Sequence, residues 1–562
     1  MIWQRHRVLS FGMAAVCGLP LGCSPATMAG APRAPTYRER LGQLEQRYAD
    51  TRDLYAQVRI AEARGADRST HNSPIAELRQ TYEIQRQSLL DAMIALDSGR
   101  LGGDDARAYH TMHVALSEGA MEASTTPATA ANSCRYNPGD VASGESARQK
   151  LSARIYDCYG RAARRVVVGH DTIDRLTVLG RLGTEDDPMV RRAHFLALLP
   201  LWEAMNGDGT PGSPYRTLVA LSAQGWKRSG SYIARQGESL GLDSARVESS
   251  LVRILEAWRD HTPATLLQPW DWWYANGASS RRLSSRVSKD ELRLVNDRFY
   301  ADLGADPKAL DVHYDLDPRD GKTPVAFTDF ASHPRAQPNR WMRAEPWVFA
   351  TYRVGGVDNL GELLHETGHA VHIAGIRTRP AFADWPDSDP FTEALGDLIA
   401  LDASEPAWQR KYLGDSASTA ESMRGRYSGI AMDVAWALFE LRMHADPSSD
   451  PNGVWAAITS SYLHIVPHPE WAWWAMRGQL VDLPGYMMNY ALGAIITADL
   501  RARVLADRGA FWKGDKKMYG WLSGRLYKWG LERPTREVLG DFLGRSITTD
   551  AILRDMGRLG AQ

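Results

Sequence analysis

The chain of 562 residues reads as a mostly α-helical protein. Apolar residues recur at helical spacing through most of its length, and strand-like patterns are confined to three short stretches. No internal repeat or phosphate-binding glycine loop is present to suggest another architecture. With 44% hydrophobic residues the chain can bury a large core, and its 19 tryptophans point to an aromatic-rich cleft or to helix packing. The 66 basic and 67 acidic residues leave a net charge of −1, so no global field draws nucleic acid or an acidic membrane.

Residues 1–30 read as processing sequence. Arg5 and Arg7 form a short basic region, and the apolar stretch 8–21 is too short for a permanent membrane anchor. Leu21-Gly22-Cys23 resembles a bacterial lipoprotein cleavage site, with Pro20 where leucine is usual; ordinary signal cleavage near Ala29 is the alternative. The expectation is an exported bacterial protein, periplasmic or held at the outer membrane by lipid on Cys23. No later stretch reaches 18 uninterrupted apolar residues, so no transmembrane span is expected in the mature chain, 31–562. After processing, Cys134 and Cys158 are the cysteines left, besides an acylated Cys23 where cleavage falls before it. In an exported protein two thiols favour a disulfide, here closing a loop of about 25 residues and contributing roughly 3 kcal/mol; two separate buried thiols are the alternative.

The spacing then predicts helices over 37–64 and 74–96, a loop rich in Ala, Ser, Thr and Pro over 121–146, and helices over 147–168 and 188–205. Residues 206–214 break the pattern. The basic cluster Arg161, Arg164 and Arg165 reads as a solvated face. Gln268-Pro-Trp-Asp-Trp-Trp-Tyr274 reads as aromatic packing with Asp271 capping a helix, or as a cleft-side segment. Strands are expected at 312–314, 325–330 and 347–353.

Chemistry enters at His365-Glu366-Thr367-Gly368-His369, followed 24 residues later by Glu393. A chance His-Glu-x-x-His is expected about 0.02 times in a chain of this composition. Residues four apart share a helix face, so both imidazoles can reach one ion, while Glu366 is held beside it as a base. Leu360, Leu363, Leu364, Ala370, Val371 and Ala374 flank the motif at helical spacing, which predicts a buried helix. Buried paired histidines need partners, and a zinc ion supplies one. Asp358 is the expected N-cap after Gly355-Gly356, and Gly375 ends the helix. On a second helix, Asp389 is the expected cap and Pro390 the first helical residue. Glu393 and Asp397 then share a face, Glu393 as third metal ligand and Asp397 as hydrogen-bond acceptor for a ligand histidine. His372 extends the motif face but lies about 10 Å from His365 along the axis, too far to close a tetrahedron with both. The metzincin pattern, glycine at 372 and histidine at 375, is excluded by His372 and Gly375.

Glu366-Thr-Gly-His369 with Thr392-Glu-Ala-Leu-Gly-Asp-Leu-Ile-Ala-Leu401 resembles the peptidyl-dipeptidase A (angiotensin-converting enzyme) family. His372 and Asp315-Leu-Asp-Pro-Arg-Asp-Gly-Lys322 are more similar to the thimet oligopeptidase family. Both are helical gluzincins, and the resemblance is clear over about 265–500. It implies one large unit of two lobes around a deep channel, with a small edge sheet near the zinc helix. It also implies one Zn²⁺ on His365, His369 and Glu393, Glu366 as general base, and short peptides as substrates. Tyr490, in Tyr490-Ala-Leu-Gly-Ala-Ile-Ile496, resembles the tyrosine that steadies the oxyanion, and Tyr486 is a weaker candidate for a second donor. The lysine and histidine that angiotensin-converting enzymes carry before that tyrosine are missing from Trp474-Ala-Met-Arg-Gly-Gln-Leu480, and the family's other substrate-binding histidine corresponds to Phe327. Arg477 is the candidate replacement, or a member of a structural ion pair. The reading is an exported zinc peptidase; the alternative is a peptide-binding protein of the same fold that has lost turnover.

The cysteine pair gives a direct test. Under denaturing conditions the mature protein should present no free thiol to Ellman's reagent, whereas two free thiols would reject the bridge.

Overall fold

The computed structural model describes residues 35–65, 74–119, 145–206, 209–229, 232–319, 322, 326–337 and 340–560. It is 68% helical. The described strands are short members of three small sheets.

Helices α1 (Tyr37–Ala63), α2 (Pro74–Ile94) and α3 (Gly103–Glu118) open the described chain. A capping box starts α1: Thr36 Oγ1 accepts from the Glu39 amide while the Glu39 carboxylate accepts from the Thr36 amide. Leu41, Leu89, Met93 and Met112 bury one face of this group against Ala381 and Phe382. Ion pairs hold the same junction: Arg52 to Asp384 at 2.5 Å, Arg379 to Asp105 at 2.8 Å, and Arg379 to Glu45. Several half-buried pairs on one seam constrain it more than isolated surface pairs, each worth about 0–1 kcal/mol, would do.

Two expected helices end early for local reasons. The helix expected over 147–168 runs Glu145–Arg164, because the β-branched run Val166–Val168 pairs as a hairpin with Asp171–Ile173. The helix expected over 188–205 divides into Pro188–Leu196 and Leu199–Asn206, where Pro200 has no amide hydrogen to carry a ladder through. The loop expected over 121–146 falls almost wholly outside the described residues.

Strands β1 (His313–Asp315), β2 (Phe327–Ser332) and β3 (Glu345–Phe349) form the edge sheet, with β3 central, parallel to β1 and antiparallel to β2. The third strand is shorter than 347–353, since past Phe349 only Ala350 and Tyr352 still donate to Asp315 and Leu316. Arg335–Gln337 and Arg340–Met342 add a hairpin that the sequence pattern did not signal. Asp315 is a hub, accepting from Arg64 at 3.0 Å, Arg319 at 2.7 Å and the fully buried Lys322 at 3.0 Å. Lys322 also donates to the Asp315, Asp317 and Ala350 carbonyls, so its buried ammonium is satisfied.

The core is carried by α4 (Val357–Gly375), α5 (Asp389–Ala400), α6 (Thr419–Ala445) and α7 (Met487–Arg508). All six apolar residues flanking the motif are buried in it. The expected caps are not made by side chains. Gly356, at φ 106°, precedes α4 while Asp358 lies in its first turn; Ser388 precedes α5 while Asp389 is already helical. A carboxylate in a first turn still favours the positive helix end. Asp271 does not cap either: it accepts from Arg191 Nε at 2.9 Å and Nη2 at 2.6 Å. Arg161 is exposed and paired with Asp157.

Helices α4 and α5 cross in backbone contact. A Cβ added to Gly368 would lie 2.2 Å from the Gly396 carbonyl oxygen. On the other side of α5, a Cβ on Gly493 of α7 would stand 3.2 Å from the Pro390 carbonyl oxygen and 3.3 Å from Glu393 Cβ. Cys158 is disulfide-bonded, and its expected partner Cys134, like Cys23 and the signal segment, lies outside the described residues. No helix among the described residues is long and apolar enough to cross a membrane.

Gly368→Ala should therefore destabilise the fold by about 1–3 kcal/mol through overpacking. Gly42→Ala, mid-helix in α1 with nothing within 4 Å of the added carbon, should be neutral or stabilise by up to about 1 kcal/mol. Chemical denaturation of both variants checks the contrast; equal stability of the two would remove the crossing constraint.

Candidate metal centre

His365 and His369 sit one turn apart on α4, and α5 brings Glu393 to them across the glycine contact. One ligand atom from each of the three lies within 4.8 Å of the other two. The two Nε2 atoms are 3.0 Å apart, and His365 Nε2 is 3.7 Å from Glu393 Oε2. Two ring nitrogens this close, with a carboxylate beside them, repel or stay desolvated unless a cation or proton lies among them. Bonds of 2.0–2.1 Å in a tetrahedral zinc site put ligand atoms about 3.3–3.4 Å apart, between the two separations found here. The donor set fits a zinc ion.

The space for both rings depends on Gly396. A Cβ there would come 2.7 Å from His369 Nε2 and 2.9 Å from His365 Cε1. Asp397, one residue on, accepts from His365 Nδ1 at 2.7 Å, which leaves the Nε2 lone pair facing the cluster. His369 is held neutral: burial, then the neighbouring His365 and His372, depress its pKa well below the ordinary value. Trp385 packs edge-on to the His369 ring at 5.7 Å. It belongs to the loop that α1–α3 brace, so the N-terminal helices reach the centre through this indole.

Glu366 is outside the cluster of ligand atoms. Thr328 Oγ1, from β2, donates to Glu366 Oε2 at 2.7 Å and stands 2.9 Å from its carbonyl oxygen. Burial raises the Glu366 pKa, opposed by His365 and Thr328. Neighbouring strand residues face opposite sides, so Phe327 turns away from the centre, packing on Phe349 at 5.0 Å and Trp347 at 6.2 Å. The position that the resemblance gives to a substrate-binding histidine thus points elsewhere, and its neighbour Thr328 faces the carboxyl.

On α7, Tyr490 is half-buried with its ring 5.6 Å from that of Tyr486. Burial, then the charge of Glu393, push the Tyr490 phenol above its ordinary pKa and keep it a donor. The Tyr486 hydroxyl donates to Glu393 Oε1 at 3.4 Å, a long bond that turns it toward the carboxylate. Arg477 pairs with Asp433 and stacks over Trp436 at 4.8 Å, so its charge is compensated. His372 is not in the ligand cluster: fully buried, its ring nitrogens without a hydrogen-bond partner among the described residues, it packs on Trp385 at 5.7 Å and Tyr527 at 5.5 Å.

A cavity of about 560 Å³ opens beside the centre, walled by Asp358, Gly361 and Asp397 on one side and by Trp273, Trp436 and Arg477 on others. Thr328, Trp385 and the spacing role of Gly396 were not assigned from sequence. The glycines alone carried a signal, since helix-interior glycine costs about 1 kcal/mol and needs a packing reason.

The chain is similar in fold to solved peptidases. An M32 carboxypeptidase from Deinococcus radiodurans R1 superposes with a TM-score of 0.60 at 15% identity, over 94% of this chain and 100% of that one. An oligoendopeptidase F gives 0.60 at 15% over 95% and 93% of the two chains. PZ peptidase A, with an inhibitor, gives 0.60 at 14% over 95% and 98%. No protein-family model and no curated protein matches the chain.

Glu393→Ala should abolish stoichiometric zinc binding while leaving helicity near wild type, and Asp397→Ala should weaken zinc affinity about 10–100-fold. Metal analysis after dialysis against graded chelator checks both; full metal retention in Glu393→Ala would assign the third ligand elsewhere.

Proposed function

We propose that the chain is a zinc-dependent peptidase hydrolysing short peptides, of the gluzincin type that resembles the peptidyl-dipeptidase A and thimet oligopeptidase families. We also propose that it is exported, to the periplasm or to the outer membrane through Cys23. One observation carries the catalytic reading: two imidazole nitrogens and a carboxylate oxygen meet within 4.8 Å beside a further carboxyl, Glu366, that takes no part in the cluster. A fold shared with a carboxypeptidase, an oligoendopeptidase and a further peptidase supports it. A cavity of about 560 Å³ suits a short extended chain better than a folded protein.

His365, His369 and Glu393 would hold the ion, with the remaining position open to substrate and water. When bound, zinc supplies Lewis acidity toward the scissile carbonyl and lowers the pKa of a water. Glu366 takes the proton from the attacking water at Oε2, where Thr328 holds the carboxyl, and returns it to the leaving amine. Its raised pKa makes it a stronger base than an ordinary glutamate. Tyr490, kept protonated, donates its hydroxyl to the developing oxyanion. Tyr486 steadies Glu393. Arg477, neutralised by Asp433, offers no free charge to a substrate carboxylate, so release of dipeptides in particular is not assigned.

Glu366→Gln keeps shape and removes the proton acceptor. Turnover of a quenched peptide library should fall at least about 10²–10⁴-fold while one zinc per chain remains. Zinc lost together with activity would move Glu366 among the ligands. Activity within a few-fold of wild type would place the chemistry elsewhere, and a wild type without turnover when zinc-loaded would favour a peptide-binding protein.

A further inference from the structure

Three carboxyl groups at the centre have assigned work: Glu393 in the ligand set, Asp397 on His365, and Glu366 as base. A fourth, Glu362, has none. Over its first turns α4 is accessible along one strip, with Asp358 and Glu362 exposed and Gly361 and His365 half-buried between buried neighbours. These positions share one helix face. Asp358 and Gly361 of that face line the cavity beside the centre. Glu362 is exposed on the same side of the helix, next to the cavity-lining Gly361 and one turn before Glu366, about 6 Å along the axis.

The groups that act on Glu362 are few. The Tyr352 hydroxyl and His365 face it, and Glu366 lies close enough to feel its charge. His365 is already committed to Asp397 at 2.7 Å. Among the described residues no lysine or arginine compensates Glu362. An exposed carboxylate without a cationic partner carries a desolvation cost wherever a substrate covers it. A cation arriving with the substrate would relieve that cost and gain a charge-assisted hydrogen bond. An extended peptide advances about 3.3–3.6 Å per residue, so one helical turn from the base corresponds to a side chain within two residues of the scissile bond.

We propose that Glu362 selects peptides carrying a lysine or arginine within two residues of the cleaved bond. The proposal rests on the peptidase reading and adds a substrate class to it.

The test uses zinc-loaded full-length mature protein and a series of quenched peptides. Each has norleucine replaced by lysine at one of the four positions flanking the scissile bond. At one position lysine should raise kcat/KM at least tenfold over norleucine. That ratio should fall below about threefold in Glu362→Gln, and in Glu362→Lys a glutamyl peptide should overtake the lysyl one. A ratio is insensitive to a general loss of fold or metal, which lowers both substrates together. No preference at any position, or the same preference in Glu362→Gln, overturns the proposal. A binding arm separates it from the peptidase reading: Glu366→Gln should bind the lysyl peptide at least tenfold tighter than its norleucine twin, and Glu366→Gln/Glu362→Gln should not. Wild type inactive on every peptide would defeat the peptidase reading, while the binding arm would still decide Glu362; equal affinities there overturn the proposal.

Discussion

Everything at the centre depends on two helices touching where neither has a side chain. Gly368 of α4 meets the backbone of α5 at Gly396, and that contact fixes the distance across which Glu393 approaches the two histidines. A methyl group at either position would separate the helices or displace an imidazole, because the nearest atoms are 2.2 Å and 2.7 Å from the added carbon. The ligands converge only because the helix framework is rigid, and the framework is rigid because both helices are buried along most of their length. α7 closes the same layer through Gly493 and carries Tyr490 close enough to Glu393 to feel its charge.

The second constraint is desolvation. Glu366, His369 and Glu393 are all removed from bulk water, and burial is the largest influence on each. Burying this many ionisable groups destabilises a fold unless something compensates them. Part of the compensation is in the chain itself: Asp397 for His365, Thr328 for Glu366, Tyr486 for Glu393. A metal ion supplies the rest in the reading proposed here, joining fold stability to function in one small region.

Much of this was legible in the sequence, because helices announce themselves locally. The spacing of Leu360, Leu363 and Leu364 around the motif predicted a buried helix, and the offset from His365 to Glu393 predicted a second helix meeting it. The i,i+4 spacing of Glu393 and Asp397 pointed to a bond from Asp397 to one of the ligand histidines, and the structure shows that it is His365. Less legible were features set by tertiary contact. Asp358 and Asp389 look like caps in sequence, yet Gly356 and Ser388 hold the cap positions, and the entry at Gly356 is fixed by its amide donating to the Val287 carbonyl at 2.9 Å. Phe327 and Thr328 could not be ranked without strand register, which decides the face each presents. Arg477 offered two readings, and only the position of Asp433, 44 residues away, favours the structural one. Trp385 lies in a loop whose path depends on ion pairs to helices about 300 residues earlier.

Zinc K-edge X-ray absorption of the loaded wild-type protein tests the central claim most directly, since it reads ligand type and distance without relying on activity. The account predicts a four-coordinate site of nitrogen and oxygen scatterers at about 2.0–2.1 Å, with the multiple-scattering signature of two imidazoles and no sulfur. A sulfur shell near 2.3 Å, a single imidazole, or six oxygen ligands would contradict it.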